Sequence, residues 1–276
     1  MDEVRSELVQ NQHVRPSGFR AKTGRYLRLK LAAVDILTSA PVDALFRNRP
    51  VSCASARDVK IDAGQQGIGP GTSAALYFGI YEAAERRCVL ELAPSQYPVV
   101  ELGSGIGFIA SLLIRKIGVD SIICVEANPA LHGPLEKNLL ANNIRSAKWT
   151  IVRAAIDSGA NGSKIAITPG EHLSSSIQIG DSAQGKESIW VPTTTLRSIV
   201  ADIGDFALVA DIEGAEVSFI GGDGAALERC RWMCIELHDT TFEGEPWSRN
   251  RLMDALIGLG FELVHRDGAT YVFTRD

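Results

Sequence analysis

A glycine-rich turn between a short apolar run and a helical pattern is the segment of the sequence best suited to hold a ligand. It reads ELGSGIGF over residues 101–108. Glycine lets the backbone approach a ligand closely, and a helix that begins there offers free N–H groups and the positive end of its dipole. Phe108 stands where a dinucleotide-binding turn has its third glycine. This spacing favours a ligand with a ribose and an amino-acid carboxylate over one with a pyrophosphate.

An acidic residue, Glu126, follows the next apolar run, Ser121 to Val125. A carboxylate at the end of the second strand of such a sheet can accept hydrogen bonds from both hydroxyls of a ribose. The alternative is a solvated charge at a strand end. Because the glycine turn precedes it, we favour the ribose role for Glu126.

Acids and a histidine follow two later apolar runs and are the candidates for catalysis. Asp211 directly follows the run 206–210, and His238 follows the run 232–237. An unperturbed imidazole titrates near pH ~6.5, so His238 is the first choice for a general base. Asp211 and Glu213 are the carboxylate alternatives. Glu216 stands where a helix should begin, and we favour a capping role for it over a direct one.

A divalent metal ion is conceivable at the same place but is not favoured. Asp211, together with Glu236, His238 and Asp239, ends neighbouring strands and offers oxygen ligands of the kind that magnesium takes. Nothing in the spacing of these residues requires an ion, so the sequence predicts no metal ligands.

Strands that alternate with helices must position these residues. Buried strands are expected at 99–102, 121–125, 149–152, 206–210 and 232–237, helices at 109–117, 131–139 and 252–259, and a closing hairpin at 261–264 and 271–273. This alternation predicts an α/β fold with a parallel sheet covered by helices on both faces. Ligands of open parallel sheets bind beyond the carboxyl ends of the strands, where Gly103, Glu126, Ala155, Asp211 and His238 would lie.

Two parts of the chain do not follow this alternation. Residues 1–75 are mixed in character and are expected to form a helical and loop extension that caps the acceptor site, ahead of a domain at 76–276. A glycine-rich loop at 63–71 should precede a helix that includes Glu82. The stretch at about 157–192 is predicted to be an insertion with strands near 165–167 and 189–191.

The overall composition excludes several classes of protein. A formal net charge of −5, spread along the chain, argues against nucleic-acid and anionic-membrane partners, which need a dense basic face, although residues 15–30 are basic. Five cysteines without a CxxC pair suggest buried, reduced thiols. The polar N-terminus and the short apolar runs predict a cytoplasmic protein. The sequence does not determine the oligomeric state, for which a homodimer is one option.

Three motifs together resemble the FkbM-type methyltransferases. They are the glycine turn with Glu101, the segment VEANP at 125–129, and the segment DIEGAE at 211–216. Weaker similarity extends the resemblance over residues 77–274, including Tyr81 and Glu82. The family usually has Asp-x-Gly-Ala where this chain has ELGS at 101–104, and Leu-Asp where it has Leu196-Arg197.

The resemblance implies a class I fold of Rossmann type, with a mostly parallel seven-stranded sheet and a C-terminal antiparallel hairpin. It implies S-adenosylmethionine as the cofactor and S-adenosylhomocysteine as the product. Tyr81 and Glu82 are then expected to bind substrate. The expected cofactor-binding residues are Glu101, Gly103, Ser104, Gly105, Gly107, Glu126, Ala127, Asn128, Ala155, Ile156, Asp157 and Asp211.

The expected reaction is O-methylation of a small molecule, such as a sugar or a polyketide-type natural product. The partner is therefore a small-molecule acceptor. The runner-up is N-methylation of an amine or a peptide amide. From other classes, an NAD(P)-binding oxidoreductase and a non-catalytic cofactor-binding module stay open. Phe108 disfavours the first of these, and the set of intact motif residues disfavours the second.

Overall fold

The computed structural model describes residues 32–48, 50–65, 68–159, 163–169, 175–177 and 188–276. Its strands are β1 (Val99–Leu102), β2 (Ser121–Val125), β3 (Lys148–Val152), β4 (Ala155–Ile156), β5 (Lys164–Pro169), β6 (Ser175–Ile177), β7 (Ile189–Thr194), β8 (Phe206–Ala210), β9 (Cys230–Glu236), β10 (Thr240–Phe242), β11 (Glu245–Trp247), β12 (Glu262–Asp267) and β13 (Thr270–Thr274). Its α-helices are α1 (Ala40–Asp43), α2 (Thr72–Phe78), α3 (Ala83–Leu92), α4 (Phe108–Leu112), α5 (Pro129–Asn142), α6 (Leu196–Val200), α7 (Glu216–Ile220) and α8 (Arg249–Gly258). A short π-helix, Leu113–Ile117, continues α4, and residues 32–37 are also helical.

The main sheet has seven strands in the order β12-β13-β9-β8-β1-β2-β3. The five strands from β3 to β9 pair in parallel, and β13 runs antiparallel to both β9 and β12. The order reverses at β1, which lies between β2 and β8, so ligands are expected beyond the carboxyl end of this strand. The predicted Rossmann-like fold with its C-terminal antiparallel hairpin is confirmed.

Helices cover both faces of this sheet and divide its core in two. On one face, α3, α4 and α5 contribute residues such as Val89, Phe108 and Leu135 to a hydrophobic cluster. On the other face, α6, α7 and α8 contribute residues such as Leu196 and Phe219. Every residue of β1 is buried because the strand lies between the two layers, which explains why three of its four residues are apolar.

The described parts of the segment predicted as an insertion form a second sheet together with β4, which precedes that segment. Its strands lie in the order β4-β7-β5-β6, with β5 antiparallel to β7 and β4 parallel to β7. The strands expected near 165–167 and 189–191 are therefore present. A small core of Ala155, Ile167 and Val191 packs against Ala127, which follows the predicted ribose-binding acid.

The described part of the N-terminal segment shares a core with the rest of the chain. Val51, Ile61 and Leu76 belong to the same hydrophobic cluster as α4 and α5. The backbone N–H of Lys60 donates to Oδ1 of Asn142 at 3.0 Å. Residues 51–65 and 68–76 are thus packed onto the sheet domain, while the predicted cap over the acceptor site stays a prediction.

Two local expectations near this segment are corrected. Glu82 is not part of the helix that follows the glycine-rich loop, because α2 ends before Gly79, whose φ is +68°. Glu82 instead precedes α3, a helix that the sequence analysis did not predict, and its own φ is +44°. Non-glycine residues with positive φ are uncommon, so this position is held by its surroundings.

Two further expectations concern thiols and membranes. All five cysteines are free and buried, as predicted. Among the described residues, no helix has the length and apolar character needed to cross a membrane.

Candidate active site

The glycine turn is shaped by contacts that only glycine allows. Gly103, with φ +83°, lies so close to the loop after β8 that an added Cβ would be 1.9 Å from the carbonyl oxygen of Asp211. A Cβ added to Gly107, whose φ is +81°, would lie 2.8 Å from Cδ1 of the Leu135 side chain. Gly105 differs, since the nearest atom to its added Cβ is the hydroxyl of Tyr81 at 3.5 Å. Gly103 and Gly107 therefore serve packing, and Gly105 leaves room for a ligand.

Glu126 lies on the same rim of the sheet as this turn. Its Oε2 accepts a hydrogen bond from the backbone N–H of Gly105 at 2.8 Å, and its Oε1 accepts one from Asn128 at 2.7 Å. The side chain is buried, and burial raises its pKa, although the backbone N–H donors oppose the rise. The carboxylate expected to hold a ribose thus contacts the turn expected to pass beneath the cofactor.

Glu101 is buried beneath the turn. Burial raises the pKa of its carboxyl to about 7, and hydrogen bonds from Ser104, Cys124 and the backbone N–H of Ala110 offset part of the cost. Ala110 lies in the first turn of α4, whose N–H groups lack partners within the helix. Glu101 therefore supports the turn and the helix from below, and its contact with cofactor stays a prediction.

This raised pKa predicts how stability depends on pH. Unfolded, Glu101 ionises near its ordinary pKa of 4.5; folded, it keeps its proton up to about pH 7. A raised folded pKa means that stability is lost as pH rises between these values, by about 3 kcal/mol for this group. The variant Glu101→Gln should therefore gain stability over the wild type as pH increases from 5 to 8.

Urea unfolding at several pH values measures this difference. The exposed Glu262 is the control, and Glu262→Gln should parallel the wild type throughout. If the unfolding free energy of Glu101→Gln changed with pH as that of the wild type does, the Glu101 carboxyl would not have a raised pKa.

The other residues expected around the cofactor fall into two groups. Ser104, Asn128, Ala155 and Ile156 are buried, and Asp157 is partly exposed. The side chain of Asn128 caps α5 by accepting a hydrogen bond from Ala130 at 3.0 Å. Ala155 and Ile156 form β4, and the backbone N–H of Asp157 donates to the carbonyl of Thr194 in β7. The contact of these three residues with the cofactor stays a prediction.

Tyr81 and Glu82, expected to bind substrate, lie beside the open face of the turn. A Cβ added to Gly105 would lie 3.5 Å from the hydroxyl of Tyr81 and 3.9 Å from Oε1 of Glu82. The ring of Tyr81 also packs on Phe108, with centroids 5.8 Å apart. Both side chains therefore reach the turn, and their role in substrate binding stays a prediction.

An acidic cluster surrounds His238 beyond the carboxyl ends of β8 and β9. Its members are Asp211, Glu213, Glu216, Glu236 and His238. The Nδ1 of His238 is 3.1 Å from Oε1 of Glu216, and its Nε2 is 3.7 Å from Glu213 and 3.6 Å from Glu236. The backbone N–H of Asp211 donates to Leu102 of β1, which holds the cluster beside the glycine turn. The three catalytic candidates therefore lie together.

The environment of His238 changes the role expected for it. Burial alone would lower its pKa, but the hydrogen bond to Glu216 and the charges of Glu216, Glu236 and Glu213 together raise it to about 9. The expectation of an ordinary imidazole pKa is therefore wrong. A protonated ring cannot take a proton from an acceptor, which favours Asp211 and Glu213 for the base; the catalytic roles of all three residues stay predictions.

The structure also changes the roles expected for Glu216 and Asp239. Glu216 is fully buried, and its Oε1 accepts from the N–H groups of Ile212 and Gly214 rather than capping α7. Asp239 points away and accepts from the N–H of Arg249 at the start of α8. Sequence reasoning thus placed Glu216 in too peripheral a role. The three acids of the segment DIEGAE at 211–216 were the sequence signal for a central position of Glu216.

A sequence comparison with protein families matches residues 104–263 to the model described as "Methyltransferase FkbM domain". That match covers more than half of the chain. No curated protein sequence matches.

Solved structures with similar folds have low sequence identity. A methyltransferase FkbM from Methylobacillus flagellatus is 13% identical, with 91% of this chain and 60% of that chain covered and a TM-score of 0.45. A protein of the NADB-Rossmann superfamily from Streptococcus agalactiae is 13% identical over 69% of this chain and 67% of that chain, with a TM-score of 0.41. A ribosomal protein L11 methylase from Lactobacillus delbrueckii is 15% identical over 70% of this chain and 75% of that chain, with a TM-score of 0.38.

Proposed function

This chain belongs to the FkbM family of methyltransferases, and on that basis we propose that it transfers the methyl group of S-adenosylmethionine to a hydroxyl of a small molecule, of the sugar or polyketide type. The observation that carries the proposal is the adjacency of the open glycine turn and the acidic cluster, which meet where Gly103 packs on Asp211. Family membership favours methyl transfer over the hydride transfer and the non-catalytic binding that the sequence alone left open.

The residues of the turn suit the proposed cofactor. Gly105 leaves its face free, and Glu126 lies directly beside it, so these residues would hold the nucleoside part of the molecule. When bound, S-adenosylmethionine supplies an electrophilic methyl group on a sulfonium. The protein then has two tasks, which are to align the acceptor oxygen and to remove its proton.

Glu213 is the best-placed residue to remove that proton. Its side chain is 25% exposed, whereas that of Glu216 is fully buried. Its φ of +54° is unusual for a glutamate and indicates a backbone held in place by its surroundings. In the proposed reaction the Glu213 carboxylate would take the proton of the acceptor hydroxyl, whose oxygen would receive the methyl group that S-adenosylmethionine supplies. Asp211 is the alternative acceptor for the proton.

A second candidate follows from the charge of the cluster. Four carboxylates around one histidine would attract a cationic amine, so N-methylation is the alternative reaction. An ammonium acceptor must also lose a proton before it can attack, and Glu213 would serve it in the same way.

Transfer of isotope-labelled methyl from S-adenosylmethionine tests both reactions. We expect label in sugar or polyketide alcohols and not in the corresponding amines, and label in amines alone would support the alternative. With the acceptor found, Glu213→Gln should lower kcat by roughly 100-fold while cofactor affinity stays constant, since a general base contributes about that much. The exposed control Glu262→Gln should leave kcat unchanged. An unchanged kcat for Glu213→Gln would exclude Glu213 as the base.

A further inference from the structure

The three side chains of Asp211, Glu216 and His238 converge at one point of the acidic cluster. Each offers one oxygen or nitrogen atom, and these atoms all lie within 4.8 Å of one another. Ligands bound to one octahedral ion at about 2.1 Å are about 3 to 4 Å apart, so small side-chain rotations would bring the three atoms to that spacing. The Nδ1 of His238 and Oε1 of Glu216 are 3.1 Å apart in a hydrogen bond, which a bound ion would replace, because a ring nitrogen must lose its proton to bind a metal.

Glu216 provides an independent sign of a missing ligand. Its side chain has no exposed surface, and its Oε1 reaches His238. Its Oε2 is buried as well and has no hydrogen-bond partner among the described residues. A buried carboxylate oxygen without a partner is costly, because it has lost water and gained nothing in exchange. A cation bound in the cluster would supply the interaction that this oxygen lacks.

The charge around the three side chains points the same way. Glu213 and Glu236 lie within 4 Å of the same imidazole, so four carboxylates surround a single histidine. Fixed negative charges at this spacing repel one another strongly in a partly buried site. A divalent cation bound there would balance two of these charges, and His238 would bind it as the neutral imidazole after losing its proton.

We propose that Asp211, Glu216 and His238 bind a divalent cation of the Mn²⁺ type at the carboxyl ends of β8 and β9. Two carboxylates and one imidazole form a mixed oxygen and nitrogen donor set, which suits Mn²⁺ better than the all-oxygen preference of Mg²⁺. The position beside the glycine turn would let the ion orient an acceptor oxygen and make its proton more acidic. That catalytic role rests on the proposed function, whereas binding of the ion does not.

Titration of Mn²⁺ into the metal-stripped full-length chain, followed by electron paramagnetic resonance of free Mn²⁺, tests the site without any methyl transfer. We expect one ion per chain. Glu216→Gln and Asp211→Asn should each weaken Mn²⁺ affinity by about 100-fold, the loss expected for disturbing a metal site. Glu262→Gln removes one charge from an exposed strand position and should bind as the wild type does. Two variants are used because Glu216 also holds the backbone of its loop.

Several outcomes would overturn the proposal. One is absence of specific Mn²⁺ binding, and another is equal affinity in the wild type and both cluster variants, which would indicate only general attraction by surface acids. If Mn²⁺ binds but no acceptor is methylated, the metal site stands and the proposed function fails. If methyl transfer persists in a chelator and no Mn²⁺ binds, the proposed function stands and the metal site fails.

Discussion

Replacing Glu126 with glutamine is expected to weaken S-adenosylmethionine binding by about 100-fold, which corresponds to about 3 kcal/mol. Both oxygens of Glu126 already accept backbone hydrogen bonds, from Gly105 and from Asn128. A glutamine can accept only one of these, and its amide group would face the other N–H donor. The substitution therefore removes the charge proposed to hold the ribose and also disturbs the turn that it faces.

Isothermal titration with S-adenosylhomocysteine measures this effect without the need for an acceptor. The control Glu136→Gln removes a charge from the half-exposed surface of α5, where its partner Arg153 is 4.0 Å away, and should bind as the wild type does. Circular dichroism is needed to check that Glu126→Gln is folded. Wild-type affinity in a folded Glu126→Gln would show that this carboxylate does not hold the nucleoside.

Replacing Gly103 with alanine is expected to destabilise the protein by about 4 kcal/mol. The added Cβ would lie 1.9 Å from the carbonyl oxygen of Asp211, which is backbone and cannot rotate away. The φ of +83° adds roughly 1–2 kcal/mol of conformational strain for a residue with a side chain, and the overlap adds roughly 1–3 kcal/mol more. Thermal unfolding should show a midpoint lower by roughly 10 °C.

Gly105→Ala is the matched comparison, because its φ is also positive but its added Cβ has no neighbour nearer than 3.5 Å. It should lose only the conformational strain, roughly 1–2 kcal/mol, yet bind S-adenosylhomocysteine less well since the methyl occupies the open face of the turn. Gly133→Ala, where nothing lies within 4 Å of the added Cβ, should not lower the midpoint. Equal midpoints for Gly103→Ala and Gly105→Ala would contradict the packing role of Gly103.

These two glycines of one motif serve different purposes, since Gly103 allows close packing and Gly105 leaves room for a ligand. Gly103 and Gly105 are two positions apart in a single turn, and their sequence context does not distinguish them. The turn places Gly103 against the loop after β8 and Gly105 toward Tyr81 and Glu82. Substitution of Gly103 should therefore mainly lower stability, whereas substitution of Gly105 should mainly weaken ligand binding.

The pattern of the sequence alone determined the sheet and the rim on which the site lies. Runs such as 121–125 and 206–210 are short, mostly apolar and bounded by acidic residues, and parallel strands buried on both faces favour that pattern. Residues that follow such strands must meet at one edge of the sheet. For this reason Glu126, Asp211 and His238 could be placed near the glycine turn from the sequence.

The helix α3 and the position of Glu82 at its start could not be predicted in the same way. Gly79 ends α2, and Glu82 starts the next helix with a left-handed backbone that no local pattern announces. Buried asparagines are a second example, since Asn138 accepts from the N–H of Asp62 and donates to the carbonyl of Ile106. These bonds join segments far apart in the chain, so only packing specifies them.

The electrostatics of the acidic cluster were decided by the tertiary structure. The sequence identified the acids and the histidine, but their charges depend on distances between residues of different strands and loops. His238 was expected to titrate like a free imidazole, and the approach of Glu213, Glu216 and Glu236 raises its pKa to about 9 instead. Local pattern determines which strand a residue ends, whereas its protonation depends on burial and on charges brought near by folding.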